Sequence, residues 1–158
     1  VVAVDGRSGA GKSVLAAAVA TDLGCPVVRL DDVYPGWDGL ADGVRIVVEE
    51  VLEPLSRGEP ASHPTWDWAA GRWGRRVPVP AAPTIVLEGC GALAPAAAPY
   101  AAVAVWVQAP DEVRRARALE RDGDLFAPHW ERWARQEVAL YGGESPAARA
   151  DLVVRTGG

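Results

Sequence analysis

Val1-Val2-Ala3-Val4-Asp5-Gly6-Arg7-Ser8-Gly9-Ala10-Gly11-Lys12-Ser13 is the stretch that decides the fold. A short apolar, β-branched run ends in Asp5-Gly6, and Gly6 to Ser13 completes a G-x-x-x-x-G-K-[ST] phosphate-binding loop. Lys12 is the one lysine among 16 Lys and Arg residues. Glycines let the backbone curl until successive N–H groups point inward at phosphate oxygens, and the helix that follows aims the positive end of its dipole at the same place. Lys12 can then reach the β- and γ-phosphates as a flexible point charge, while the Ser13 hydroxyl is placed to ligate magnesium. The expected ATP-binding set is Gly6, Ser8, Gly9, Ala10, Gly11, Lys12, Ser13 and Val14. Ser13 to Leu23 reads as the helix, with Val14, Leu15, Ala18 and Val19 on one side and Gly24 as its stop.

Outward from the loop, strands and helices alternate. Pro26-Val27-Val28-Arg29-Leu30 predicts a second strand that delivers Asp31-Asp32-Val33-Tyr34 at its C-terminal end, where open α/β sheets bind ligands. Asp42 is placed to cap a helix from Gly43 to about Arg57, with Val44, Val47, Val48, Val51, Leu52 and Leu55 on its apolar stripe. Residues 58–83, rich in Pro, Trp and Arg, read as a long substrate-side loop. Thr84 to Leu87 and Val103 to Val107 predict two more strands, buried on both faces by their unbroken hydrophobicity, and the first ends in Glu88-Gly89. A helix is expected from Asp111 to about Asp122, a break at Gly123 to Ala127, a helix from about Pro128 to Tyr141 and a fifth strand at Leu152-Val153-Val154. The pattern predicts a three-layer α/β/α sandwich around a five-stranded parallel sheet.

A chain of 158 residues with 49% hydrophobic composition is expected to form one domain with an ample core. Its net charge of −5 argues against general nucleic-acid binding, which draws on dense Lys and Arg clusters. Cys25 and Cys90 have no metal-ligand spacing and read as small buried thiols. The uncharged span from Gly89 to Pro110 is broken by Gly91, Pro95 and Pro99, so no membrane helix is expected. The expectation is a soluble, cytoplasmic protein whose partners are ATP and a small acceptor, with homo-oligomerisation left open. With no initiator Met, the ends are expected to be trimmed.

Phosphoryl transfer needs charge neutralisation, magnesium and an aligned acceptor, with little covalent participation by the protein. Glu88, at a strand end, is the candidate magnesium-associated carboxylate beside Ser13. Asp31 is the candidate base for an acceptor hydroxyl, with Asp32 its rival. Arg114, Arg117 and Arg121 share one helix face and precede a glycine break; residues from about 114 to 128 are a candidate lid, with Arg114 and Arg117 closing over the transferring phosphoryl group. His63, Trp66, Asp67, Trp68 and Arg72 form a polar-aromatic patch suited to a planar group, and Asp31, Tyr34, His63, Trp66, Asp67 and Arg72 are the candidate acceptor-side residues. Trp73, Trp106, Trp130 and Trp133 read as packing residues, and His129 as structural.

Together these motifs resemble the uridine kinase-like branch of the P-loop small-molecule kinases. Asp31-Asp32-Val33-Tyr34 is similar to that family's D-x-F-Y segment, which implies Asp31 as the base and Tyr34 at the nucleoside. Trp66-Asp67-Trp68 stands where the family has an aromatic-Asp-aromatic segment near the substrate. Val86-Leu87-Glu88-Gly89 resembles its apolar run ending in E-G, whose Glu serves magnesium, and Arg114, Arg117 and Arg121-Asp122 resemble its lid arginines. The resemblance covers most of the chain and implies ATP-dependent phosphorylation, with uridine or cytidine as the suggested acceptor; a kinase for another hydroxyl-bearing metabolite and a nucleotide-dependent regulatory ATPase are the alternatives. Val33 stands where the family has Phe, the segment from Trp66 to Trp73 departs from its nucleoside-site sequence, and the lid is short.

Overall fold

A computed structural model describes residues 1–141, 143 and 145–157. The elements in order are β1 (Val2–Asp5), α1 (Lys12–Leu23), β2 (Val27–Arg29), α2 (Leu40–Val47), α3 (Glu53–Ser56), β3 (Ala61–Asp67), β4 (Arg72–Val79), β5 (Val86–Glu88), β6 (Val103–Gln108), α4 (Asp111–Asp122), α5 (Trp130–Leu140) and β7 (Leu152–Arg155). Five strands form one sheet in the order β2-β5-β1-β6-β7, and every neighbouring pair is parallel. The register sets Val4 beside Glu88 and Asp5 beside Trp106. The ends of β1, β2 and β5 therefore lie side by side, which gathers the loop glycines, Asp31 and Glu88 at one edge.

Alternation along the strands splits the core in two. Val4, Val86, Val105 and Val107 pack with Ala16 and Ala20 of α1. Ala3, Val28 and Leu87 pack with Val44 and Val47 of α2 and with Trp130 and Trp133 of α5. Helices thus cover both faces, and strands enclosed in this way need no polar face. Alanines on α1 let it approach the sheet closely at the point where it must present its N-terminus.

Two segments differ from expectation. The helix expected from Gly43 begins at Leu40 with Gly39 at its N-cap, so Asp42 falls in its first turn and pairs with Arg45 at 3.6 Å. It then passes through a π-helical segment, Val48–Leu52, into α3. The extra residue per turn keeps Val48, Val51 and Leu52 all buried. The stretch 58–83 is largely an antiparallel hairpin, β3 on β4, with a register shift between Pro64 and Trp66. Prolines 64 and 78 argue against strands because they cannot donate to a ladder, but a two-stranded ribbon has only edges and tolerates them. No helix among the described residues is long and apolar enough to cross a membrane.

Candidate active site

The loop between β1 and α1 is held in shape by close backbone contacts that exclude side chains. A Cβ on Gly6 would lie 2.1 Å from the Val107 carbonyl oxygen, and one on Gly9 2.0 Å from that of Arg114, with Gly9 at φ +79°. The first turn of α1 carries no acidic residue and its N-cap, Gly11, makes no side-chain cap. Its amides are therefore left for a ligand, in the arrangement that binds anions at helix N-termini.

Charged groups around the loop are buried and matched. Lys12 is 8% exposed, and its Nζ donates to the Arg7 carbonyl at 3.3 Å and to Cys90 Sγ at 3.5 Å. Burial alone would lower its pKa, but the neighbouring carboxylates of Asp31, Asp5 and Glu137 outweigh that and raise it, so the ammonium stays charged. Glu137 on α5, 1% exposed, accepts the Ser8 amide at 2.7 Å on Oε1 and Arg7 Nε at 2.9 Å on Oε2. The Cys90 thiol donates to the same carboxylate at 3.3 Å and is pushed up in pKa by burial, so it remains a thiol. Asp5, fully buried, accepts from the amides of Gly6, Gly91 and Leu93 and from Tyr141 Oη, at 2.6 to 3.1 Å. Desolvation raises its pKa to about 6 even against the hydrogen bonds from Leu93, Tyr141 and Gly6 and the charge of Lys12.

In front of the loop lies a cleft of about 450 Å³. Ser8, Ser13, Asp31, Asp32 and Glu88 line its floor, joined by Arg29. Ser13 Oγ stands 3.4 Å from Glu88 Oε2, and Arg29 Nε 3.9 Å from Glu88 Oε1. Burial, then the neighbouring Asp31, raises the pKa of Glu88; burial raises that of Asp32 as well. The Asp31 main-chain carbonyl accepts Trp68 Nε1 at 3.0 Å, which ties the hairpin turn to the end of β2. A hydroxyl and a carboxylate in contact, near further carboxylates, are hard oxygen donors that suit Mg2+. Among the described residues no group of three or more His, Cys, Asp or Glu surrounds a metal position.

The far wall is aromatic: Tyr34, Trp37, Trp68, Phe126 and Trp133, with Arg121 and Asp122 at its rim. Trp37 lies parallel to Phe126 and His129, at centroid distances of 5.1 and 4.6 Å. Arg121 is paired with Asp122 at 2.6 Å.

The structure brings Ser8, Ser13, Asp31, Tyr34 and Glu88 into this cleft, with Lys12 behind the loop. Arg114 is buried, donates to the Ser8 carbonyl at 3.0 Å and Asp111 at 2.7 Å, and lies over the Trp130 ring. Arg117 bonds Thr156, whose hydroxyl donates to the Ala10 carbonyl. Both arginines brace the loop from outside the cleft. His63 is buried beside the Pro64 carbonyl, Trp66 is edge-on to Trp73, and Asp67 receives the amides of Ala69 and Ala70 in the hairpin turn. Arg72 pairs with Asp67 in the hairpin register, and Val14 is 79% exposed. None of these last five lines the cleft. Trp37, Trp133, Glu137 and Arg29 are the residues that the sequence reading did not place at the site. Only the strand-end position of Arg29 offered a signal.

No family model matches the chain, and no curated protein matches it in sequence. Solved structures match it in fold. A protein described as a possible uridine kinase from Bacillus stearothermophilus superposes with a TM-score of 0.68 at 18% identity, over 97% of this chain and 86% of that one. A gluconokinase from Sinorhizobium meliloti gives 0.53 at 21% identity, over 99% and 82%. The shikimate kinase of Aquifex aeolicus gives 0.50 at 16% identity, over 98% and 84%. The likeness is one of fold: the five-stranded parallel sheet and its strand order are those of P-loop small-molecule kinases.

Proposed function

We propose that this chain is a single-domain, ATP-dependent phosphotransferase that moves the γ-phosphoryl group of ATP onto a hydroxyl of a small molecule, a nucleoside such as uridine or cytidine. One observation carries the reading. The Asp31 carboxylate, which has no hydrogen-bond or ion-pair partner among the described residues, shares a cleft with the open N-terminus of α1 and with the Ser13–Glu88 pair.

In this reading the loop amides and Lys12 hold the β- and γ-phosphate oxygens. Ser13 and Glu88 would hold Mg2+, which when bound neutralises phosphate charge. Asp31 takes the proton of the acceptor hydroxyl, whose oxygen bonds to the γ-phosphorus as the bond to the β–γ bridging oxygen breaks and ADP leaves. Residues 114–128 serve as the lid. Arg121 already faces the cleft, and Arg114 and Arg117 reach the phosphoryl group by exchanging their bonds to Ser8 and Thr156 for phosphate oxygens.

The test is ADP release from Mg·ATP alone and with uridine, cytidine, gluconate or shikimate added. Strong stimulation by one acceptor, with a phosphorylated product of matching mass, is expected. Hydrolysis indifferent to every acceptor would instead select a nucleotide-dependent regulatory ATPase.

A further inference from the structure

Among the described residues, one buried side-chain nitrogen or oxygen has no hydrogen-bond partner: the indole nitrogen of Trp133. A buried donor left unpaired is costly, and native structures rarely keep one without cause. Trp133 lies on α5, is 4% exposed and lines the cleft. Rings surround it. Tyr34 meets it edge-on at 4.9 Å and 67°, and Trp37 at 6.3 Å and 89°.

Trp37 is carried on the turn that precedes α2. It sits between Gly36, at φ +78°, and Gly39, and its carbonyl accepts Gln136 Nε2 at 2.6 Å. Its ring lies within 14° of parallel to both Phe126 and His129, and 4.7 Å from Trp68. The acceptor half of the cleft is therefore a stacking slot that holds a flat ring, and in the free protein that ring is the protein's own.

We propose that Trp133 is a specificity-determining donor of the phosphoryl-acceptor site: a planar acceptor displaces Trp37 from the stack and presents a carbonyl oxygen or ring-nitrogen lone pair to the Trp133 indole N–H. The inference rests on the kinase reading above and adds the residue that reads the acceptor's ring, which carries a lone pair on its edge and a hydroxyl directed to Asp31. The free protein already bears the cost of the unpaired donor. Binding relieves it, and an acceptor without the lone pair gains nothing at that point.

The experiment measures KM for ATP and for the preferred acceptor of the four-compound panel in three proteins. These are the wild type, Trp133→Phe, and a variant carrying 3-benzothienylalanine at position 133 alone, which keeps the bicyclic shape and loses the N–H. KM for the acceptor is expected to rise about three- to ten-fold in both variants, from the loss of one hydrogen bond, while KM for ATP stays within two-fold. An unchanged acceptor KM in the benzothienylalanine protein, with Trp133→Phe merely less stable, would make Trp133 a packing residue and overturn the proposal alone. Preference for gluconate or shikimate over both nucleosides would overturn the planar class. Wild-type protein that phosphorylates none of the four overturns the kinase reading and this inference with it.

Discussion

Asp31 and Glu137 are both carboxylates at the phosphate loop, yet their surroundings give them opposite roles. Asp31 is exposed to the cleft and its carboxylate has no hydrogen-bond or ion-pair partner among the described residues; Glu137 is buried and engaged by Ser8, Arg7 and Cys90. Asp31→Asn keeps the shape and removes the proposed proton acceptor. Turnover with the preferred acceptor should fall roughly 10²–10⁴-fold, while ATP affinity measured by calorimetry stays within two-fold. Full activity in that variant would move the base to Asp32. Glu137→Ala leaves a loop amide and a guanidinium without their partner, and breaking such a pair costs about 3–5 kcal/mol when fully buried. Arg7 is 28% exposed, so water recovers part of this and a loss of about 2 kcal/mol is expected in urea unfolding. Glu137→Gln retains one acceptor for Ser8 and should lose less. Equal stability of all three proteins would show that α5 does not hold the loop.

At the scale of elements, the loop between β1 and α1 depends on absent side chains. Gly9 and Gly24 both have positive φ, but a Cβ at Gly24 meets nothing within 4 Å, whereas one at Gly9 strikes the Arg114 carbonyl. Gly24→Ala should cost only the left-handed strain, about 1–2 kcal/mol. Gly9→Ala should cost more and weaken ATP binding at least ten-fold by calorimetry, because the loop itself must shift. The same contrast explains what was legible in the sequence. Strand ends beside a phosphate loop place Ser13, Asp31 and Glu88 by topology alone, so local spacing sufficed to bring them to one edge of the sheet. Trp37 and Trp133 reach the cleft, and Glu137 the phosphate loop, through the packing of α5 against loops far away in the chain, and no local pattern encodes that. Trp133 in particular reads as an ordinary apolar-stripe residue, since helical periodicity reports burial and is silent on whether the buried N–H finds an acceptor. The hairpin was hidden because its prolines argue against strands, and of Trp66-Asp67-Trp68 only Trp68, in the turn, lines the cleft.

Across the whole molecule, Asp5 is the junction. Its carboxylate joins the start of the phosphate loop, the turn after β5 and Tyr141 beyond α5. Its folded pKa of about 6 lies above the ordinary 3.8 because burial penalises the charge. Between those values the folded protein binds more protons than the unfolded chain. Stability therefore falls as pH rises, being complete below about pH 3.8 and gone once pH has passed about 6. The full span of this contribution is about 3 kcal/mol, and the part lost between pH 5 and 7 is about 1 kcal/mol. Other groups titrate in the same range, so the quantity to measure is the difference between wild type and Asp5→Asn, which carries no charge at that position. Wild type should gain about 1 kcal/mol on the variant when urea unfolding is moved from pH 7 to pH 5. Asn also turns a donor toward one of the amides that Asp5 accepts, so the variant is less stable throughout, but that offset does not depend on pH and cancels in the comparison. Carboxyl-carbon NMR of the wild type gives the check that needs no variant: the Asp5 signal should titrate near pH 6. A midpoint near 4 would mean that the hydrogen bonds and the Lys12 charge offset desolvation, and the difference between wild type and Asp5→Asn would then not change between pH 5 and pH 7.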